Sequence, residues 1–119
     1  MAESILRNKA KNFAKEVVLI CREIKEIKRE NILSNQLLRS GTSIGANVYE
    51  AEYAQSKSDF VSKLHIAQKE CYETNYWLEL LFETEYIKED KYISLKNKNE
   101  EIMRILISSL KTAKSKLDY

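Results

Sequence analysis

The sequence contains no proline and only two glycines among its 119 residues. Sheet proteins need turn-forming residues every few positions, and proline and glycine supply many of them. Their scarcity argues against a fold of many short strands and favours long, uninterrupted helices. The chain is 44% hydrophobic and 32% charged, which is typical of a globular protein and not of a disordered one.

Long apolar runs are also missing. No stretch approaches the roughly 20 residues that are needed to cross a bilayer. Residues 1–11 carry Arg7, Lys9 and Lys11 in place of the apolar block of a secretory signal. The two cysteines, Cys21 and Cys71, are isolated and form no CxxC pair. We therefore expect a cytoplasmic protein with free thiols and no membrane partner.

The sequence lacks the residue groupings that catalysis requires. His65 is its only histidine, and Ser62 stands three residues before it, so the Glu-x-x-His pairs of a di-iron bundle are absent. One histidine and two separate cysteines do not make a zinc site, and no glycine-rich phosphate loop is present. We predict no catalytic residue, metal, cofactor or small-molecule substrate, and hence no enzyme. His65 is expected at the surface or between helices, and both cysteines as small buried residues.

Apolar residues recur at alternating steps of four and three, which is the 3.5-residue spacing of a helical bundle. We call each line of apolar residues with this spacing a seam. Four seams predict four helices, at about 4–30, 35–54, 58–86 and 89–117. The length suits one domain, 1–119, and short connections make successive helices antiparallel. The predicted fold is an all-α, up-down-up-down four-helix bundle. Its main seam residues are Leu6, Ala10, Phe13, Val17, Ile20, Ile24 and Ile27, then Leu37, Gly41, Ile44, Val48 and Ala51, then Phe60, Leu64, Ala67, Cys71, Thr74, Leu78 and Leu81, and finally Leu95, Ile102, Leu106, Ser109 and Ala113.

Two local features mark the beginnings of helices two and three. Ser34 or Asn35 is the expected N-cap of helix two, and the S-x-x-D sequence that begins at Ser56 predicts a capping box for helix three. Gly41 and Gly45 lie one turn apart inside helix two, where each costs about 1 kcal/mol against alanine. We expect a close approach to a neighbouring helix as compensation, with a local break at 40–42 as the alternative.

Helix two also carries a polar stripe of Ser40, Ser43, Asn47 and Glu50. A solvated face and a half-buried network are both compatible with this spacing. We favour the network, because buried polar groups that find partners determine which helices pair. In such a network Asn47 and Glu50 would bond each other or reach helix three.

Four tyrosines, Tyr49, Tyr53, Tyr72 and Tyr76, lie just off the seams of helices two and three. One small core does not need four aromatic rings in addition to its seam residues. Their rings belong either to the bundle periphery, with hydroxyls in water, or to a subunit interface, where aromatic rings with a polar tip are enriched. The pattern alone leaves both possibilities open.

Charge is unevenly distributed although the net charge is only +2. Segments 1–30 and 88–119 each carry +3, segment 31–57 is neutral, and segment 58–87 carries −4. This distribution is compatible with a surface that binds polyanions, or with helix pairing and subunit docking.

Two motifs connect the chain with a known family. One covers 36–51 and includes Arg39, the SIGAN run at 43–47 and Glu50; the other is the ET-x-YWL run at 73–78, preceded by 58–60 and 63–70. Together they resemble the four-helix-bundle family encoded in intervening sequences of bacterial 23S ribosomal RNA genes. The sequence departs from the family pattern at Ala51, where glycine is frequent, and at Tyr49, where a smaller residue is common.

The resemblance implies a left-handed up-down bundle that assembles into a ring-shaped homopentamer, which strengthens the interface interpretation of the tyrosines. The family is also similar to the accessory protein of diversity-generating retroelements, a basic pentamer that binds nucleic acid and a reverse transcriptase. For the intervening-sequence members themselves, the resemblance implies no activity.

The leading functional hypothesis is a non-catalytic oligomer that binds RNA or DNA through basic faces, by neutralising phosphates and without reading sequence. A solubilising role is the alternative for each basic residue. The second hypothesis is an adaptor that binds another protein, with the acidic residues 59–85 facing a basic partner. The candidate nucleic-acid contacts are Lys9, Lys11, Lys15, Arg22, Lys111, Lys114 and Lys116.

Overall fold

A computed structural model describes residues 2–117, with the side chains of residues 5–115. The order of elements is α1 (Ala2–Ile27), α2 (Ile32–Glu52), α3 (Lys57–Glu83) and α4 (Glu89–Leu117). No strand occurs within the described range. The four helices form an elongated bundle of 52 × 22 × 20 Å, which confirms the all-α four-helix prediction.

Contacts between side chains show that neighbouring helices run antiparallel. Arg39 of α2 pairs with Glu73 of α3, whereas Glu50, further along α2, pairs with the earlier Lys63. Each helix packs against its neighbours in sequence, and α4 returns to α1 to close the bundle, with α1 and α4 the most loosely packed pair. Helices α1 and α3 therefore stand at opposite corners. The handedness of the bundle stays a prediction.

The predicted seams form the core. Most of the seam residues are buried, and Ala10, Val17, Leu37, Leu78 and Leu106 are fully so. Phe60, Ser109 and Ala113 are partly exposed, and Ile27 is 67% exposed because α1 ends at this residue. None of the helices in the described range has a segment long and apolar enough to span a bilayer.

The predicted ends of α1 and α3, at residues 30 and 86, are each three residues too late. After α3, the N–H of Tyr86 donates to the carbonyl of Leu81 at 2.8 Å while Glu85 adopts φ 69°. This left-handed turn is a Schellman-type stop, and Arg29, at φ 60°, similarly follows α1. Glycine usually marks such turns, and its absence at 29 and 85 left the sequence without a stop signal.

The expected N-cap of α2 at Ser34 or Asn35 is wrong, because α2 begins at Ile32 and its N-cap is Asn31, which makes no side-chain cap. The carboxylate of Glu30 instead accepts from the Ser34 N–H at 3.0 Å, and the Ser34 hydroxyl donates to the Glu30 carbonyl at 2.7 Å. Since Glu30 supplies the acceptor for the first turn, α2 begins earlier than its serine suggests.

The predicted N-cap of α3 at Ser56 is confirmed, and the capping box forms in part. The Asp59 N–H donates to the Ser56 hydroxyl at 3.0 Å, which satisfies one free amide of the first turn. The Asp59 carboxylate accepts from the N–H of Gln55 at 3.3 Å, one residue before the position that a standard box uses. Helix α3 accordingly begins at Lys57, one residue before the predicted start.

The two glycines of α2 face α1, and the helix runs through both without a break. A Cβ atom at Gly41 would lie 2.8 Å and 2.9 Å from the two Cγ atoms of Val17. At Gly45 the nearest atom would be the carbonyl oxygen of Ala10, at 3.5 Å. The expected close approach is therefore present, and only Gly41 requires the absence of a side chain.

Alanine substitutions distinguish the two glycines. We expect Gly41→Ala to be less stable than Gly45→Ala by about 1–3 kcal/mol, because the new methyl group meets a β-branched side chain with one favoured rotamer. Gly45→Ala, the matched control, should equal the parent or exceed it by up to about 1 kcal/mol through helix propensity. Urea unfolding followed by circular dichroism measures both. Equal stability of the two variants would contradict this explanation.

Candidate interaction surfaces

The α2–α3 contact holds a cluster of charged and aromatic side chains. Arg39 pairs with Glu73 and lies 3.5 Å from the Oε2 atom of Glu70. The indole N–H of Trp77 donates to the same Glu73 carboxylate at 3.0 Å. One guanidinium therefore serves two carboxylates across this pair of helices, and Arg39, noted only as part of the family motif, is its centre.

The polar stripe of α2 only partly forms the expected network. Buried Ser40 accepts a hydrogen bond from the Thr74 hydroxyl at 3.0 Å, and Glu50 pairs with Lys63 at 3.0 Å, so both reach α3. Asn47 instead donates to the carbonyl and hydroxyl oxygens of Ser43 in its own helix. The expected bond from Asn47 to Glu50 or to α3 is wrong, because Ser43 lies one turn away and takes both bonds.

Glu70 carries a carboxylate in an unfavourable position. Burial raises its pKa above the ordinary value, the neighbouring Glu73 raises it further, and Arg39 and Lys69 act in the opposite direction. Its Oε2 atom is buried without a hydrogen-bond donor. The charged form of Glu70 is therefore less stable in the folded protein than in the unfolded chain.

A second polar contact, between α3 and α4, was missed by the sequence analysis. The side-chain amide of Asn99 is fully buried and donates to the Cys71 carbonyl and to the Asn75 side chain, both at 2.8 Å. Asn75 in turn donates to Glu100 at 3.4 Å. The sequence did indicate this position, because Asn99 lies on the apolar seam of α4, four residues after Leu95 and three before Ile102.

The four candidate tyrosines are all more than half exposed, and they form two pairs on different faces. Tyr49 and Tyr53 have ring centroids 5.2 Å apart. Tyr49 lies one turn after Gly45, which faces α1, and both rings also line a groove with Asp59 and Lys63 of α3. Tyr72 lies one turn before Asn75, whose side chain meets α4, so Tyr72 borders the α3–α4 face. Tyr76 lies one turn after Tyr72, and its ring centroid is 4.9 Å from that of Trp77.

The α3–α4 face also exposes isoleucines. Ile93 and Ile107 each lie two turns from Glu100 in α4, on the side that meets Asn75. Both are 46% exposed. We call Tyr72, Tyr76, Ile93 and Ile107 the apolar band. Large exposed apolar residues grouped along one face are typical of protein interfaces.

The candidate basic residues do not lie together. Lys11, Lys15 and Arg22 are exposed and spaced by four and seven, so they share one stripe of α1. Arg7 begins that stripe and pairs with Glu52 of α2 at 3.0 Å, which places the beginning of the stripe beside α2. We call Arg7, Lys11, Lys15 and Arg22 the basic stripe. Among the described residues, Lys11, Lys15 and Arg22 have no acidic partner within 4 Å.

The remaining basic candidates lie elsewhere. Lys9 faces α4 and pairs with Glu101 at 3.2 Å. Lys111 and Lys114 are exposed near the end of α4, and the side chain of Lys116 lies outside the described residues. The structure thus places three of the seven candidates in one stripe on α1 and two near the end of α4, with Lys9 apart from both.

The acidic residues 59–85 are partly used within the chain. Glu70 and Glu73 serve Arg39, and Asp59 caps α3, which leaves Glu79, Glu83 and Glu85 exposed. An adaptor that docks a basic partner would therefore have a smaller acidic surface than the sequence suggests.

In the described part of the chain, the residues considered for catalysis or metal binding do not come together. Both cysteines are buried free thiols, and burial raises the pKa of each to about 12, so neither is a thiolate at neutral pH. His65 is exposed, and no three metal-ligating side chains come together among the described residues. A groove of about 330 Å³ between α1 and α4 is lined by the ion pairs Lys9–Glu101 and Glu16–Lys98.

These features define a class of protein: a four-helix bundle whose described interior is packed and whose candidate sites are surfaces. The chain belongs to the 23S rRNA-intervening sequence protein family, whose model matches residues 2–108. The family resemblance of the motifs is thereby confirmed.

A solved structure shows the same fold. It is a protein of unknown function from the S23 ribosomal protein family of Bacteroides thetaiotaomicron VPI-5482, 48% identical, with a TM-score of 0.92. The match covers 93% of this chain and 99% of that one. No protein with a curated description matches the chain.

The raised pKa of Glu70 predicts a pH dependence of stability. Between the ordinary carboxyl value, about 4.3, and the raised value, the folded state binds more protons than the unfolded state, so stability falls as pH rises through this window. Glu70→Gln should remove this fall and be at least as stable as the parent at pH 7. Urea unfolding between pH 4 and pH 7 measures the effect.

The exposed Glu79 on the same helix provides the control, and Glu79→Gln should keep the parental pH dependence. A Glu70→Gln protein whose stability still falls through the window as steeply as that of the parent would show that another group is responsible.

Proposed function

We propose that this chain is a non-catalytic subunit of a homo-oligomer that binds RNA or DNA through its basic surface. The observation that carries the proposal is the separation of two surfaces at different corners of the bundle. The apolar band borders the α3–α4 face, and the basic stripe borders the α1–α2 face. One surface is suited to protein contact and the other to phosphate contact.

The apolar band supports self-assembly. Its two tyrosines and two isoleucines are 46–59% exposed, although tyrosine and isoleucine side chains are large and apolar enough to favour burial. A face of one copy that meets a different face of the next generates a ring if the rotation closes. The family resemblance supports a ring of five.

The basic stripe supports nucleic-acid binding. Lys11, Lys15 and Arg22 extend over about 16 Å of α1, given a rise of about 1.5 Å per residue. Exposed cations without acidic partners neutralise phosphates and release counterions. In a ring the stripe is repeated in every copy, and multivalent contact strengthens weak individual sites.

The cytoplasm is the compartment that we propose. Its reducing conditions keep cysteines as thiols, and Cys21 and Cys71 are both free.

Self-assembly is tested by sedimentation of the purified protein. We expect a mass that is a multiple of 13.9 kDa, about five times that value for a pentamer. Tyr72→Glu/Tyr76→Glu should reduce the mass to that of the monomer while keeping helical circular dichroism, because both side chains are exposed. Leu19→Glu, at a residue 59% exposed outside the band, is the control. A parent protein that is monomeric at micromolar concentration would contradict self-assembly.

Nucleic-acid binding is tested by fluorescence anisotropy with labelled RNA and DNA at several salt concentrations. Changing Lys11, Lys15 and Arg22 to glutamine should weaken binding and reduce the slope of log K against log[salt] by about 2, at roughly 0.7 per phosphate contact. Changing Lys28, Lys88 and Lys91 to glutamine is the matched control, because it alters net charge equally at residues outside the basic stripe. Failure of the parent to bind either nucleic acid at low salt would refute this function.

A further inference from the structure

The tyrosine pair Tyr49–Tyr53 lies beside the basic stripe, at the same end of the bundle as Arg7. Arg7 pairs with Glu52, which stands between the two tyrosines in sequence. The rings are 55% and 70% exposed, and their planes are inclined by 45° at a centroid distance of 5.2 Å. Each ring therefore presents surface to solvent next to a line of cations.

The carboxylates near this pair are already engaged. Glu50 pairs with Lys63 and Glu52 with Arg7, each at 3.0 Å. The Asp59 carboxylate accepts from the Gln55 N–H at the beginning of α3. Two of these three carboxylates are therefore paired with a cation, and the third is hydrogen-bonded.

The part of α2 beside the stripe is almost free of charge. From Ile32 to Val48, Arg39 is the only charged residue. Gly45 and Ala46 have little or no side chain, and Gly45 approaches the backbone of Ala10. This surface repels no phosphate and allows an extended strand to lie close to both helices.

We propose that the α1–α2 face binds single-stranded nucleic acid, with phosphates on the basic stripe and bases stacked on Tyr49 and Tyr53. This inference rests on the proposed nucleic-acid function and names its substrate class. Base faces are available to aromatic rings only when the bases are unpaired, and stacking combined with a cationic track is the general mode of single-strand binding. The tyrosine pairs then divide their roles, since Tyr72 and Tyr76 belong to the apolar band.

The test compares leucine with phenylalanine at the two positions. Phenylalanine keeps a ring for stacking and leucine does not, so Tyr49→Phe/Tyr53→Phe is the matched control for Tyr49→Leu/Tyr53→Leu. The probes are labelled 20-nucleotide poly(U) and poly(dT), and RNA and DNA duplexes of the same length. Anisotropy gives affinities across salt concentrations, and sedimentation gives the assembly state of each full-length variant.

We expect both single strands to bind more tightly than the duplexes. The leucine variant should lose at least about tenfold in single-strand affinity, since stacking contributes about 1–3 kcal/mol per base. The phenylalanine variant should bind as the parent does. The salt slope should stay the same in both variants, because the phosphate contacts are unchanged.

Three outcomes would overturn the inference: duplexes that bind as tightly as single strands, leucine and phenylalanine variants of equal affinity, or a leucine variant with reduced sedimenting mass. The last would assign Tyr49 and Tyr53 to the subunit interface. Binding that is present but insensitive to the tyrosines refutes only this inference. Absence of all binding by the parent refutes the proposed function as well.

Discussion

Val17 occupies the space that a side chain at position 41 would need, and this exclusion determines how closely α1 and α2 approach. Because Gly41 has no Cβ atom, the branched side chain of Val17 reaches the backbone of α2 in the middle of the core. One turn later Gly45 lies beside the backbone of Ala10. The close contact brings the exposed side of α1 beside the nearly uncharged side of α2. The surface to which we assign phosphate binding is thus a consequence of packing beneath it.

The opposite side of α2 is held by polar contacts. Arg39, Ser40 and Glu50 each reach α3, and the Ser40–Thr74 bond is buried within the core. A buried hydroxyl pair contributes little net stability but is costly to separate, so it favours one register over its alternatives. Asn99 has the corresponding role between α3 and α4, where it bonds the Cys71 carbonyl. Apolar seams bring the helices together, and these few polar contacts determine their alignment.

Most of the fold could be predicted, because the spacing of apolar residues along each seam indicates which side chains are buried. The steps of four and three from Leu6 to Ile24 are buried as expected, and Ser56 caps α3. Helix ends were predicted less well, since Arg29 and Glu85 adopt a left-handed conformation that arginine and glutamate do not usually indicate. The sequence predicted which residues lie on the surface, but not which of them lie together. Lys9 and Lys11 are two positions apart in sequence, yet one pairs with α4 and the other borders α2, because two residues turn a helix through about 200°.

The same packing explains why we expect binding at the surface of this protein and not in its interior. In the described part of the chain, buried Ser40 and Asn99 bond polar groups of a neighbouring helix, and the thiols are held in their protonated form by burial. Such an interior has no ionised nucleophile and no cluster of metal ligands to offer. What remains available is the pattern of exposed side chains, which differs from corner to corner. A bundle of this kind can present a protein-binding band and a phosphate-binding stripe at once, because helices at different corners have separate exposed faces.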